Sequence, residues 1–211
     1  MNYKSLPYYI NLEILSYIEV KLSKDVYGYF KRDYFRKIFQ LYVCFNSFNK
    51  CYLPKEIYYL DLSFTKNITN AELVYLKNVH TLNLGNTKIT DAELVYLKNV
   101  HTLDLWGTKI TDAGLVHLKN VHTLNLSYTN VTNAGLVYLK NVHTLDLRFT
   151  KITDVGLVYL KNVHTLNLGE TNITDAGLVH LKNVHTLNLR YTSITDAGLE
   201  YLKNKGVNYI Y

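Results

Sequence analysis

The sequence predicts an α/β solenoid, a stack of similar units that share one parallel sheet and carry short helices on the opposite side. One observation is a phrase, Val-His-Thr-Leu, that returns every 21 residues. Another is the alternation of leucines with polar residues after it, which is the pattern of a strand with one buried face. Because so short a unit cannot bury its apolar face alone, its copies must stack. The period is marked by His80, His101, His122, His143, His164 and His185.

This period divides the chain into three parts. Residues 1–56 lack it and are rich in Tyr, Phe, Lys and Asn, so they are predicted to form a separate module. Residues 57–204 contain seven repeats of about 21 residues, and residues 205–211 begin a partial eighth copy that ends the stack. With 211 residues, of which 48% are hydrophobic, the chain is long enough to bury a continuous core.

Each repeat is predicted to contain one strand, one buried threonine and one short helix. From Leu76 to Ile89 the spacing Leu-x-x-Val-x-x-Leu-x-Leu-x-x-Thr-x-Ile resembles the leucine-rich-repeat consensus, with Thr where that family usually has Asn or Cys. The resemblance implies a parallel sheet on the concave side and short helices on the convex side. Thr87 and its copies are expected to form a buried column that satisfies backbone groups where the chain leaves the strand. The rest of the repeat has room for about two turns of α or 3₁₀ helix.

The helix of each repeat is predicted to start at a threonine. In the segment 90–93, the Thr90 hydroxyl caps the first turn and Glu93 reaches back to it, which is a capping box. Thr69 and Glu72 repeat this arrangement. In the later copies glycine replaces the glutamate, so the box is lost and a threonine cap, usually followed by Asp, remains.

Residues 1–56 are predicted to form a small helical pair or trio. Pro7 suits the first turn of a helix. The apolar positions of one helix face then follow at Ile10, Ile14, Leu15 and Ile18. A second helix is predicted over about residues 31–48. In the simplest interpretation this module is a cap that covers the first repeat.

The same segment resembles an F-box. Leu-Pro followed by Glu-Ile-Leu-x-Tyr-Ile stands between Leu6 and Ile18, and residues 41–48 are similar to the closing Val-Cys element of that motif, with about a dozen extra residues between the two. The style of the sequence also resembles F-box and repeat proteins encoded by giant DNA viruses. The F-box resemblance implies a small helical F-box-like domain that binds a Skp-type adaptor. Its contact residues would be Leu6, Pro7, Ile10, Ile14, Leu15 and Ile18.

Charge and composition argue against several function classes. The net charge is +6, with nine Lys/Arg against five Asp/Glu in residues 1–56 and fourteen against twelve in the remainder. Since the repeats are nearly neutral and no Lys/Arg cluster is expected along one repeat face in the way that a phosphate-tracking groove requires, nucleic acid is not expected as a partner. Cys44 and Cys51 fit neither a metal spacing nor a disulfide framework. Without a leader or a spanning apolar stretch, the chain is expected to be cytoplasmic or nuclear, not secreted, and without a membrane partner.

The positions that differ among copies are the candidates for binding. They are the two residues after each strand, along one rim of the concave sheet, and they include the aromatic and arginine types that dominate binding hot spots. Two interpretations stay open: the aromatics bind a client protein, or they only cover the loop side of the core. The candidate client-binding residues are Trp106, Tyr128, Arg148, Phe149, Glu170, Arg190 and Tyr191.

Two polar columns resemble sites but are better explained by architecture. Asp61, Asp104 and Asp146 share a strand position with asparagines and never occupy neighbouring repeats, which predicts a polar ladder that avoids repulsion between carboxylates. The histidine column invites a metal hypothesis, but a linear row of identical side chains does not converge on one point as zinc ligands must. Stacking is the preferred interpretation, with no metal.

The sequence therefore predicts a binding protein without a cofactor, and not an enzyme. It contains no Ser/His/Asp order, no cysteine placed as a catalytic nucleophile and no glycine-rich phosphate-binding loop. The F-box resemblance implies the substrate-recognition subunit of a Skp–cullin–F-box ubiquitin ligase, with the repeats holding the client; a viral protein would recruit a host ligase. The alternative is a stand-alone repeat scaffold whose N-terminal helices are only a cap. A drifted array of recent duplicates, with no defined target, also fits copies so alike.

Overall fold

The repeats form one continuous parallel sheet. The computed structural model describes residues 41–42, 59–65, 68 and 73–211. Within them, each strand pairs in parallel with the strands that precede and follow it along the chain, which confirms the predicted solenoid. The strands are β1 (Leu41–Tyr42), β2 (Tyr59–Asp61), β3 (Thr81–Asn83), β4 (Thr102–Asp104), β5 (Thr123–Asn125), β6 (Thr144–Asp146), β7 (Thr165–Asn167), β8 (Thr186–Asn188) and β9 (Asn208–Ile210).

The first strand corrects one prediction. The sequence predicts a helix over residues 31–48, but Leu41–Tyr42 pair in parallel with β2, so the helix prediction is wrong at these two residues. The N–H and C=O groups on the open edge of β2 need partners, and this long-range demand cannot be seen in a local apolar pattern. The sheet therefore begins before residue 57. The rest of the predicted helical module lies outside the described residues.

The core is a set of leucine columns running along the solenoid. The register places the same strand position of successive repeats side by side, as in Leu103 of β4 beside Leu124 of β5. Both are 1% exposed, and the leucines, valines and isoleucines at the repeated apolar positions form one contiguous buried cluster. Burying a leucine completely contributes about 1.5–3 kcal/mol, so each repeat is stabilised mainly by the neighbours on which it stacks.

Short helices form the convex side, as predicted. Two inward leucines three residues apart, such as Leu94 and Leu97, are buried, which suits the three residues per turn of a 3₁₀ helix. The 3₁₀ helices are Val74–Leu76, Asp91–Leu97, Asn133–Leu139, Asp154–Leu160 and Asp175–His180, and the α-helices are Asp112–Leu115 and Asp196–Asn204.

The predicted threonine column closes the chain's exit from six strands, β3 to β8. The Thr87 hydroxyl donates a hydrogen bond of 2.7 Å to the carbonyl of Leu84, and Thr150 does the same to Leu147 at 2.6 Å. Both threonines are buried, so without this bond the carbonyl would be left in the core without a partner. The copies that make the same contact are Thr108, Thr129, Thr171 and Thr192.

A side-chain clamp that was not predicted joins the convex segments of neighbouring repeats. Asp112 accepts hydrogen bonds from the backbone N–H and the hydroxyl of Thr132, at 2.8 and 2.6 Å. In the last clamp, the bonds from Thr195 hold the pKa of the Asp175 carboxyl below its usual value. The other clamps are Asp91 on Thr111, Asn133 on Thr153 and Asp154 on Thr174.

The clamp explains why glycine replaces glutamate in the later copies. Glu93 accepts hydrogen bonds from the N–H and hydroxyl of Thr90, at 2.6 and 2.8 Å, which confirms the capping box. In the next repeat the N–H and hydroxyl of Thr111 donate instead to the Asp91 carboxylate of the preceding repeat. A Cβ atom on Gly135 would lie 2.4 Å from Oδ1 of Asp112, so glycine leaves the room that the clamp needs. The box predicted at Thr69 and Glu72 lies outside the described residues.

Candidate functional site

The turn that ends each strand builds the candidate site. An Asp or Asn at the end of the strand accepts a hydrogen bond from the backbone N–H two residues on, at 2.9–3.3 Å in seven copies. The residue after that donor has a left-handed backbone, with φ between 53° and 66°. The seven left-handed residues are Phe64, Asn86, Gly107, Tyr128, Phe149, Glu170 and Tyr191.

Aromatic residues occupy four of these left-handed positions, although this backbone suits them poorly. The left-handed conformation costs an ordinary residue about 1–2 kcal/mol, whereas glycine adopts it freely and asparagine tolerates it. The side chains are also exposed, from 41% for Phe149 to 79% for Tyr191. Together with Trp106 they form what we call the aromatic rim, which consists of Phe64, Trp106, Tyr128, Phe149 and Tyr191.

The rim contains two pairs of rings. Tyr128 stacks on Phe149 with centroids 4.1 Å apart and an interplanar angle of 18°. Phe64 meets Trp106 edge to face at 5.6 Å and 73°. Trp106 is half-buried and crosses Gly85, where a Cβ atom would lie 2.2 Å from the indole. Trp106 thus fits the covering interpretation, while the rings of the Tyr128–Phe149 pair project further into solvent.

The charged candidates fall into two groups. The Arg148 guanidinium binds Asp146, with Nη2 2.8 Å from Oδ2 and Nε 2.9 Å from the same oxygen, and this bond raises the pKa of the arginine. Its charge is therefore largely neutralised by its own strand. Glu170 and Arg190 are exposed on the turns after β7 and β8, beside Tyr191. The structure thus brings Trp106, Tyr128 and the Arg148–Phe149 turn onto three adjacent strands, as predicted, and places the remaining three candidates on the next two.

The concave face beside the rim is a groove of about 460 Å³ lined by the threonines, asparagines and aspartates of the strands, by the leucines between them and by Tyr59. The amide of Asn125 donates to Asp104 at 3.1 Å, and that of Asn167 donates to Asp146 at 3.2 Å. Each of these two carboxylates therefore has an amide neighbour in the next repeat, which confirms the predicted ladder.

Asp104 carries an electrostatic cost. Burial raises the pKa of its carboxyl, and the negative charges of Asp146 and Asp61 add to this rise, against the hydrogen bonds from Trp106 and Asn125. A pKa raised by folding means that the native state disfavours the charged form, so the carboxylate lowers stability at neutral pH. The cost disappears below the unfolded pKa of about 3.9, where the carboxyl is protonated in both states.

We expect Asp104→Asn to raise the free energy of unfolding at pH 7 by about 0.5 kcal/mol, a small figure because the side chain is partly exposed to solvent. Urea unfolding should show the gain at pH 7 and its loss near pH 3. Asp146→Asn is the matched control, because it breaks the ion pair with Arg148 and should bring no gain. A destabilised Asp104→Asn variant at pH 7 would contradict this account.

The histidines stack as predicted. Successive rings from His80 to His185 lie 4.5–4.8 Å apart with interplanar angles of 7–23°. Such a row offers no convergent set of ligands. Within the described ranges, no group of three or more His, Cys, Asp or Glu side chains could hold a metal ion.

The candidate adaptor-binding residues lie outside the described residues. They are Leu6, Pro7, Ile10, Ile14, Leu15 and Ile18. In the part of the chain that the structure describes, no helix is long and apolar enough to cross a lipid bilayer.

The structure shows a column of exposed lysines on the convex side. The sequence predicts no Lys/Arg cluster of the kind that a phosphate-tracking groove requires, but a lysine ends the convex segment of seven successive repeats and every one is exposed. The near-neutral sum for the repeats hides this column, because the compensating carboxylates lie at the helix starts and on the concave strands. Counting charge by repeat position instead of by segment would have found it. The column consists of Lys77, Lys98, Lys119, Lys140, Lys161, Lys182 and Lys203.

Comparison with known proteins supports the repeat assignment. The family model described as Leucine Rich repeat matches residues 117–140, 138–161, 159–182 and 180–203. Comparison with curated protein sequences finds no significant match.

Solved structures with this fold include two internalins of Listeria monocytogenes. Internalin C2 is 27% identical over 72% of this chain and 69% of its own, with a TM-score of 0.57. The internalin inlF is 18% identical over 72% of this chain, with a TM-score of 0.56, and the match spans 54% of its length. The sheet, the core and these comparisons agree that the chain folds as a leucine-rich-repeat solenoid.

Proposed function

We propose that this solenoid is a scaffold that holds a protein partner against the aromatic rim. The observation that carries the proposal is the presence of exposed aromatic side chains on left-handed backbone. At the same position Gly107 and Asn86 provide the turn at little steric cost, so the fold itself does not require an aromatic residue there. Backbone strain of this kind concentrates at functional sites.

Ring stacking does not fully offset the cost of placing aromatic residues on a left-handed backbone. The Tyr128–Phe149 stack returns about 0.5–1.5 kcal/mol, while two left-handed aromatic residues cost about 2–4 kcal/mol together. Tyr191 is 79% exposed and has little contact to offset its cost. A partner that buries these rings would recover the difference, since aromatic anchors contribute most of the energy of many interfaces. Apolar side chains placed over the Tyr128–Phe149 pair would gain most.

Tyr191→Asn is expected to raise the free energy of unfolding by about 0.5–1 kcal/mol, because asparagine tolerates the left-handed backbone and little packing is lost. Urea denaturation monitored by circular dichroism measures this gain. Tyr138→Asn is the control, since Tyr138 lies on the convex side in a helix, has similar chemistry and should show no gain. Equal or lower stability of Tyr191→Asn would remove the strain argument.

The binding proposal is tested with a partner that is first identified by crosslinking and mass spectrometry and then purified. The double variant Tyr128→Asn/Phe149→Asn should weaken its binding more than about 10-fold, since hot-spot residues contribute about 2 kcal/mol or more each. Tyr138→Asn should bind like the wild type. If the rim variant keeps wild-type affinity for every partner obtained, the rim is only a cover for the core.

We further propose that residues 1–56 recruit a Skp-type adaptor, so that the partner on the rim becomes the client of a ubiquitin ligase. The motif from Leu6 to Ile18 supports this finer proposal, and the competing function is a scaffold that acts alone. Purified adaptor should bind the full chain, and this binding should be lost in the variant Leu6→Ala/Ile14→Asp. The rim variant Tyr128→Asn/Phe149→Asn should still bind the adaptor but should no longer bind the client. If the wild-type chain did not bind the adaptor, the adaptor proposal would be wrong and the competing function, a scaffold that acts alone, would remain.

A further inference from the structure

The lysine column forms an uncompensated line of positive charge. Its seven side chains occur in successive repeats at the edge where the strands begin, opposite the aromatic rim. Within the described residues none of them forms a salt bridge, since the ion pair found there joins Arg148 to Asp146. The aspartates at the helix starts, except Asp196 of the last helix, are engaged by threonines of the next repeat, as Asp112 is by Thr132. Strands of one sheet lie about 4.8 Å apart, so neighbouring lysines fall within a Debye length of each other.

A column of exposed valines accompanies the lysines. In a 3₁₀ helix, residues three apart eclipse one another, so Val95 and the capping Lys98 share one side while Leu94 and Leu97 share the buried side. The valines are 41–53% exposed in six successive repeats, although their neighbours in the core are completely covered. They are Val74, Val95, Val116, Val137, Val158 and Val179.

Local structure explains each lysine on its own, but it does not explain why exposed valines accompany the lysines on this side. A cation at the end of a helix is favourable, which accounts for one lysine per repeat. It does not account for an apolar side chain held in water one turn earlier in six of the seven copies, the last copy having Glu200 at that position. On the concave face the chain never places carboxylates in neighbouring repeats, whereas here it places cations in seven. An apolar strip edged by cations is the arrangement found where proteins rest on lipid headgroups.

We propose that the side formed by the lysine and valine columns docks on the surface of a bilayer containing anionic lipids. Each lysine near such a surface adds about fivefold to binding, and the valines enter the boundary between headgroups and acyl chains. A nucleic acid fits less well, because it gains nothing from valines, and the adjacent histidine rings are stacked on each other instead of offering faces to bases. That no helix among the described residues spans a bilayer has no bearing on a surface contact. The rim on the opposite edge stays free for a protein partner.

Vesicle sedimentation with the full chain tests the proposal. Phosphatidylcholine vesicles containing phosphatidylserine should bind the protein at low ionic strength, and vesicles of phosphatidylcholine alone should bind it much less. Lys119→Gln/Lys140→Gln/Lys161→Gln should weaken binding about 100-fold. Val116→Ser/Val137→Ser/Val158→Ser, which keeps every charge, should weaken it about 10-fold or more.

A matched control distinguishes binding by the lysine column from binding by the net charge of the whole chain. Lys88→Gln/Lys109→Gln/Lys151→Gln removes the same three charges from exposed lysines near the opposite edge and should bind like the wild type. Equal losses in the two lysine variants, or no loss in either, would overturn the proposal and assign the binding to overall charge or to residues 1–56. Binding to soluble RNA or to an acidic protein but not to vesicles would overturn it as well. Circular dichroism of each variant should match the wild type, since all substituted side chains are exposed.

Discussion

Gly135→Glu is expected to lower the free energy of unfolding by about 3 kcal/mol. A Cβ atom at this position would lie 2.4 Å from Oδ1 of Asp112 and 2.7 Å from Cδ1 of Leu115, both in the preceding repeat. Overpacking of a tight contact costs about 1–3 kcal/mol, and the new carboxylate would also repel that of Asp112. The repeats must separate at this point, or Asp112 must release Thr132.

The same substitution should be partly rescued by Asp112→Ala. Removing the clamp alone deletes two charge-assisted hydrogen bonds and should cost about 2 kcal/mol. With Asp112 gone, a glutamate at position 135 can cap Thr132 of its own repeat, as Glu93 caps Thr90. We therefore expect the double variant to be more stable than the sum of the single effects by about 1–2 kcal/mol.

Urea unfolding of the four proteins of this cycle measures the coupling. Asp112→Asn is the control for the clamp, because Asn133 performs the same task on Thr153 in the next repeat, and it should cost less than about 1 kcal/mol. Additive effects in the double variant would mean that the glutamate box and the aspartate clamp are not alternatives.

The sheet could be predicted because packing demands repeat at the same position in every copy. Leu103 and Leu124 are buried by the same contacts, so the period of 21 residues carries the strand register directly. The threonine column was predictable for the same reason. A short apolar segment outside the period carries no such signal, and the strand at Leu41–Tyr42 was therefore missed.

The clamp on the convex side and the left-handed turns of the rim were missed because they can be recognised only by comparing repeats. The hydrogen bonds from Thr132 to Asp112 join residues 20 positions apart, and the exchange of Glu93 for glycine in later copies was their trace in the sequence. The left-handed backbone was hidden because Tyr128 is not a residue that favours it. Gly107 and Asn86, at the same position in other copies, were the signal that could have revealed it.

The second large effect is expected from core substitutions, and it should depend on which repeat of the solenoid carries the substitution. Leu145→Ala in β6 and Leu187→Ala in β8 remove the same side chain from equivalent buried positions, at a cost of about 3 kcal/mol each. In a solenoid each repeat contacts only its neighbours, so the consequence should depend on the place of the repeat in the array. A cavity near the end should release only the last repeat, while a cavity in the middle should uncouple two halves.

Hydrogen exchange followed by mass spectrometry distinguishes these outcomes. Leu187→Ala should increase exchange in β8, β9 and the helix Asp196–Asn204, and leave β4 and β5 protected as in the wild type. Leu145→Ala should lower protection on both sides of β6, because neither half keeps its full set of neighbours. If the two variants lose protection equally along the chain, the repeats unfold as one cooperative unit, and the nearest-neighbour description of this solenoid is wrong.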